Sequence, residues 1–98
     1  MVERSEAKKR MTKKMIVYTQ TVCPKCDAAK AQIAHIPEEF KSEIIYVNID
    51  EDENAKEYMM VELESMSTPT FEFRDENGKT TRVVRGFEMG EIQEELGL

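Results

Sequence analysis

The stretch Thr21-Val22-Cys23-Pro24-Lys25-Cys26-Asp27 holds both cysteines of this 98-residue chain, two residues apart. Such a pair is a redox couple, half of a metal site, or two buried thiols, and what flanks it decides which. Upstream, Met15-Ile16-Val17-Tyr18-Thr19 is rich in β-branched and aromatic residues and reads as a buried strand. Downstream, Pro24 suits the first turn of a helix, where its missing N–H costs nothing. Cys26, Ala29, Ile33 and Ile36 then fall at helical spacing on one face, and Pro37 ends the run.

Further along, Glu43 to Asp50 (EIIYVNID) is too uniformly apolar for a sheet with a wet face and predicts an internal strand beside the first. An acidic cluster follows. Asp50, Asp52 and Asn54 are each placed to cap a second helix, with Glu53 three after Asp50 in capping-box position. Acids at a helix start answer the backbone dipole, so the cluster is read as capping and not as a cation site. Ala55, Met59 and Leu63 form the core stripe of that helix. In Ser67 to Gly86, Phe71 and Phe73 alternate with Glu72 and Arg74, Asn77-Gly78 signals a hairpin, and Thr80 to Arg85 returns as the partner strand. Met89, Ile92 and Leu96 line a last short helix. The fold class is α/β, in the order β-α-β-α-β-β-α: a mixed four-stranded sheet with helices on both faces.

Length favours one domain with one core. Charge is uneven: residues 1–14 carry a net +4, which leaves −10 on residues 15–98 out of a total of −6. We read residues 1–14 as a basic, disordered extension and residues 15–98 as a single domain. The acidic domain disfavours nucleic acid and anionic lipid as partners and favours a monomer. No apolar run long enough for a signal-peptide core follows the leader, and nothing approaches a transmembrane span. With two cysteines only, the expected compartment is the reducing cytoplasm.

Helix geometry gives the two sulfurs different environments. Cys23 falls at the strand-to-helix junction, in or next to the N-cap, where free N–H groups and the positive end of the dipole favour an anion. Lys25 adds positive charge beside it. Thiols so placed reach pKa values of about 3.5–7.5 instead of about 8.5. Cys26 lies on the inward stripe, where burial disfavours its thiolate. The pair therefore suits disulfide exchange, with an exposed Cys23 as nucleophile and Cys26 resolving the mixed disulfide. A disulfide closing so short a loop contributes little stability, which argues against a structural role. Zinc needs another half-site. The one histidine, His35, is nine residues beyond Cys26 on the same helix, roughly 13 Å along the axis and about 180° around it. No metal site is assigned within the chain, and a metal or iron–sulfur cluster bridging two chains stays as the competing reading from another functional class.

The sequence from Met15 to Leu98 resembles the thioredoxin-like superfamily, and more closely its glutaredoxin branch. Tyr18 to Cys26 (YTQTVCPKC) is similar to that branch's strand, polar loop and C-P-x-C. Val22 stands where thioredoxins carry tryptophan. Ser67-Thr68-Pro69-Thr70 matches the second signature, which implies that Pro69 is cis and lies against the cysteines while the Thr68 backbone meets an extended substrate. Gly86-Phe87 is similar to a pair beside the active site in the glutaredoxin-like hydrogen donors of ribonucleotide reductase. The resemblance thus implies substrate contacts at Lys25, Thr68, Pro69, Gly86 and Phe87. It also implies a dithiol–disulfide oxidoreductase acting on protein disulfides with no cofactor beyond the Cys23–Cys26 disulfide, recharged by a flavin or iron–sulfur reductase. Gln20 replaces the basic residue with which glutaredoxins hold glutathione, and their Gly-Gly and Asp-Asp pattern is absent after Gly86, so glutathione use is expected to be weak. Val17 replaces the buried carboxylate that thioredoxins place in the first strand, and water is expected to take the proton of Cys26.

Overall fold

The structure of the protein is a computed structural model that describes residues 13–37 and 43–95. The order of elements is β1 (Lys14–Thr19), α1 (Pro24–Ala34), β2 (Glu43–Asn48), α2 (Glu53–Val61), β3 (Thr70–Arg74), β4 (Thr80–Arg85) and α3 (Met89–Glu95). This is the β-α-β-α-β-β-α order read from the sequence. The strands lie side by side as β2-β1-β3-β4, with β1 and β2 parallel and the other two pairings antiparallel. Among the described residues α1 alone intervenes between the parallel strands, while β3 and β4 are joined by the Asn77-Gly78 hairpin. In that turn the Asp75 carboxylate accepts the N–H groups of Asn77 and Lys79, and Gly78 takes φ +83°.

Side-chain alternation along the central strands builds two cores. Met15, Val17, Phe71, Phe73 and Val84 meet Ala29 and Ile33 of α1 and Ile92 of α3 on one face. Ile16 and Tyr18 meet Met59 of α2 and the neighbouring Ile49 and Leu63 on the other. The sheet is therefore covered by α1 and α3 on one side and by α2 on the other.

One expectation is corrected and another is narrowed to one of its candidates. Strand β2 is not internal: it forms an edge of the sheet, and Tyr46 on it is exposed. Its apolar run reports cover on both faces, since Ile44 packs toward the α1 side while Ile45 and Val47 pack toward the α2 side. The cap of α2 is Asp52, whose carboxylate accepts the Ala55 N–H. Asp50 is engaged elsewhere, as described below. At the N-terminal end, β1 takes in Lys14, and the Lys13 N–H donates to the Arg74 carbonyl. The rest of the proposed basic extension, residues 1–12, lies outside the described residues, as do Leu96 and the side chain of Met89. Among the described residues, no helix is long and apolar enough to cross a membrane.

Thr70 and Glu72 of β3 are buried as deeply as its phenylalanines, because both neighbours and both faces of this strand are occupied. Glu72 is fully buried and accepts hydrogen bonds from the Tyr18 hydroxyl (2.8 Å), the Tyr58 hydroxyl (2.6 Å), the Thr80 hydroxyl and the Arg74 guanidinium (3.0 and 3.1 Å). Burial alone pushes its pKa up, but bonds from Arg74, Thr80, Tyr58 and Tyr18 outweigh that and hold it below the ordinary carboxylate value. The partner hydroxyl of Tyr18 is pushed well above its usual range, by burial first and by its bond to Glu72 second.

Candidate active site

Strand β1 delivers the chain to the cysteines through Gln20, Thr21 and Val22, and α1 begins at once after Cys23. Cys23 is the N-cap of α1, with extended-side dihedrals of φ −153° and ψ 88°, and Pro24 occupies the first helical position. The Cys23 sulfur accepts the Cys26 N–H at 3.1 Å, while the Cys23 carbonyl accepts the Asp27 N–H at 3.0 Å. A sulfur in this position satisfies one of the unpaired donors of the first turn, which is the same geometry that stabilises a thiolate. The two cysteines form a disulfide, with Cα atoms 5.1 Å apart.

In this oxidised state the expectation of an exposed Cys23 is not met: both cysteines are buried. Cys23 is 8% exposed and Cys26 is 1% exposed. The order is as expected, but the bonded sulfur of Cys23 is tucked between the helix end and the loop that precedes β3. Cys26 shares its inward face with Ala29 and Ile33. Val17, where a carboxylate would stand in thioredoxins, is fully buried in the α1-side core.

The loop before β3 closes the other side. The Thr68–Pro69 bond is cis, Pro69 is buried, and the Thr68 hydroxyl oxygen stands 3.5 Å from the Cys23 sulfur. The loop is anchored from beneath: the Thr70 hydroxyl donates to the Ser67 carbonyl at 2.6 Å and is 2.6 Å from the buried Ser65 hydroxyl. It is anchored from β4 as well, where the Arg85 guanidinium donates to the carbonyls of Leu63 and Glu64. Gly86 then donates its N–H to the Pro69 carbonyl at 2.9 Å, at a φ of +89° that favours glycine.

The fold thus brings Cys23, Cys26, Thr68, Pro69 and Gly86 to one place, although Cys26 and Thr68 are far apart in the chain. Lys25 is on the exposed side of the first turn of α1. Phe87 is half-buried and packs against the α1-side core, so its observed contacts are those of a core residue. Among the described residues, no three His, Cys, Asp or Glu side chains converge on one point.

The partners of three residues at the site, Gln20, Asp50 and Asn48, escape a reading of the sequence. Gln20 accepts a hydrogen bond from the Thr68 hydroxyl at 2.7 Å. Asp50 accepts the Thr21 N–H at 2.8 Å, and Asn48 donates to the Thr21 hydroxyl at 3.2 Å. The Asp50 carboxyl is held below its ordinary pKa, chiefly by that backbone N–H and further by the side chains of Thr21 and Gln20. The polar loop of YTQTVCPKC was the available signal, but its partners come from β2 and from the loop before β3.

Comparison with known proteins follows the same lines. A family model described as a thioredoxin-like domain matches residues 2–96. Among solved structures, the thioredoxin-like protein BC3987 is 27% identical, with 83% of this chain and 97% of that one aligned at a TM-score of 0.65. The thioredoxins of Fasciola hepatica (18% identity, 97% and 88% coverage, TM-score 0.71) and Trypanosoma brucei brucei (18%, 98% and 81%, 0.70) share the fold. A search of curated proteins finds no match.

Proposed function

From the premise that this chain belongs to the thioredoxin-like domain family and is a thiol–disulfide oxidoreductase, we propose that it works as a glutaredoxin-type electron donor that reduces protein disulfides. The observation that carries this reading is the asymmetry of the pair: Cys23 at the helix N-cap against the Thr68–Pro69 loop, Cys26 on the inward face behind it. In the reduced protein the Cys23 thiolate attacks one sulfur of a client disulfide, forming a mixed disulfide and releasing the other client sulfur as a thiol. Cys26 then loses its proton to water and attacks the Cys23 sulfur. The second client thiol leaves, and two electrons have passed from the protein to the client.

Two exposed apolar side chains support a protein client. Val22, directly before Cys23, is 85% exposed, and Met66, two residues before Thr68, is 76% exposed. Apolar surface left open on both segments that meet at the sulfur suits a polypeptide better than a small anion. Glutathione is disfavoured by the same neighbourhood. Gln20 is neutral, its side-chain oxygen is engaged with Thr68, and the nearby Asp50 carboxyl, held below its ordinary pKa, adds negative charge where a carboxylate would have to dock. Lys25, Thr68, Pro69, Gly86 and Phe87 remain the proposed client-contact set, and the resemblance of Gly86-Phe87 favours ribonucleotide reductase as a client. We place the protein in the cytoplasm as a monomer, recharged by a flavin or iron–sulfur disulfide reductase.

The test is reconstitution of protein-disulfide reduction with thioredoxin reductase, with a ferredoxin-linked reductase, and with glutathione plus glutathione reductase. Turnover with either protein reductase well above that with glutathione is expected. Robust turnover with glutathione alone would make the protein a glutathione-dependent glutaredoxin. Metal content, colour and mass of the reduced protein test the metal-bridged alternative.

A further inference from the structure

The side chains behind the Thr68 hydroxyl fix which way its proton points. The Gln20 side-chain oxygen accepts the Thr68 hydroxyl at 2.7 Å, and the same side chain helps hold the Asp50 carboxyl below its ordinary pKa. A carboxylate only accepts, so the Gln20 group that favours ionised Asp50 is its NH2, which agrees with the amide oxygen facing Thr68. Thr68 has one hydroxyl proton, and it is committed to the Gln20 oxygen at 2.7 Å. What Thr68 presents to Cys23 at 3.5 Å is therefore a lone pair.

A lone pair distinguishes the two protonation states of reduced Cys23. The thiol can donate its S–H to Thr68; the thiolate meets an oxygen with no proton to offer. This opposes the stabilisation that the first turn of α1 gives the same sulfur through the Cys26 N–H. We propose that Gln20 is a positioning residue that restrains the ionisation of Cys23 by holding the Thr68 hydroxyl as an acceptor toward the sulfur. Without Gln20, the hydroxyl is free to rotate and donate to the thiolate.

The other ionisable groups around the site are Lys25 and Asp27 in the first turn of α1, Asp50 at the far end of the relay, and Arg85 and Glu88 on either side of Gly86-Phe87. Arg85 is turned toward the carbonyls of Leu63 and Glu64, and Ser65 to Thr70 carry no charge. Of these only Asp50 feels the Gln20 side chain, and that change is the same with or without the Thr68 hydroxyl, so a shift in Cys23 titration that depends on Thr68 reads the relay.

The inference rests on Cys23 being the nucleophile. Its test uses the full chain carrying Cys26→Ser, reduced with excess dithiothreitol that is oxidised to its cyclic disulfide as it reacts and is then removed by gel filtration, so that Cys23 is the only thiol to titrate. Thiolate ultraviolet absorbance against pH gives its midpoint. Gln20→Ala is expected to lower that midpoint by about one pH unit, the size of a hydrogen bond gained by the charged form. In a Thr68→Val background the same Gln20→Ala change is expected to have no effect, and Thr68→Ser is expected to restore it. An unchanged or raised midpoint in Gln20→Ala, or an equal shift with and without Thr68, would overturn the proposal. Gln20 is exposed, so the variant is expected to fold, which its thermal melt checks. Client reduction by the unsubstituted chain separates the two readings: an inactive chain brings down the nucleophile assignment, and an active chain whose Cys23 ignores Gln20→Ala brings down the relay alone.

Discussion

At the N-cap of α1 a sulfur stands where a serine or aspartate oxygen would ordinarily stand, accepting the Cys26 N–H. That single placement joins helix formation to chemistry: the group that caps the helix is the group proposed to react. Its position was readable from the sequence because strand, proline and apolar stripe all converge on it. The fine control was not, since Gln20 acquires its role only through Thr68, 48 residues away, and Asp50, which the sequence offered as a helix cap. Glu72 gives the parallel case. Alternation with Phe71 and Phe73 marks a strand, but nothing in it tells that the carboxylate is buried with four partners. Glu72→Gln is expected to cost about 1–3 kcal/mol at neutral pH, because Arg74 and the hydroxyls lose a charged acceptor. The pH dependence has a definite sign. The folded carboxyl titrates below its ordinary value, so its stabilisation is complete above about pH 4.3 and is lost as pH falls through the lower folded value. Urea denaturation at several pH values should show the gap between the two proteins closing in acid; a gap that stays constant would show that Glu72 contributes through packing alone.

Among the elements, the loop from Leu63 to Pro69 has the most demanding task, since it must hold Thr68 against Cys23 without regular structure of its own. It is held by side chains: Thr70 and Ser65 from beneath, Arg85 from β4, and the Gly86 N–H on the Pro69 carbonyl. Gly86 is the point at which this scaffold demands a particular residue. A Cβ there would meet open space, so the cost of Gly86→Ala is the left-handed backbone alone, about 1–2 kcal/mol. Gly90, in the first turn of α3, also has open space around it but no such backbone demand, and Gly90→Ala is expected to stabilise by about 0.5–1 kcal/mol. Opposite signs in denaturant midpoints are the expected result; equal effects would mean that packing and not conformation governs both sites. The sequence identified the glycine and proline positions, but their meeting depends on the β3–β4 pairing, which aligns Thr70 with Arg85. Strand β2 was misplaced for a related reason: an apolar run records what covers its faces and not whether a strand lies on each side.

Seen as a whole, the molecule places its redox pair at the end of a sheet buried on both faces, with a −10 charge on residues 15–98. The layer order was legible because each helix has one apolar stripe and the chain alternates strand with helix until the hairpin. The site was legible as far as its sulfurs and the Ser67-Thr68-Pro69 signature, and no further, because partner and reductant are chosen by surface and not by pattern. The central claim is that Cys23 attacks and Cys26 resolves, and trapping tests it most directly. The Cys26→Ser protein, reduced and mixed with a disulfide-bonded protein client, should accumulate a one-to-one mixed disulfide that peptide mapping assigns to Cys23, while Cys23→Ser should form none and turn over no client. A stable adduct through Cys26 in the Cys23→Ser protein, or full turnover by that variant, would contradict the account.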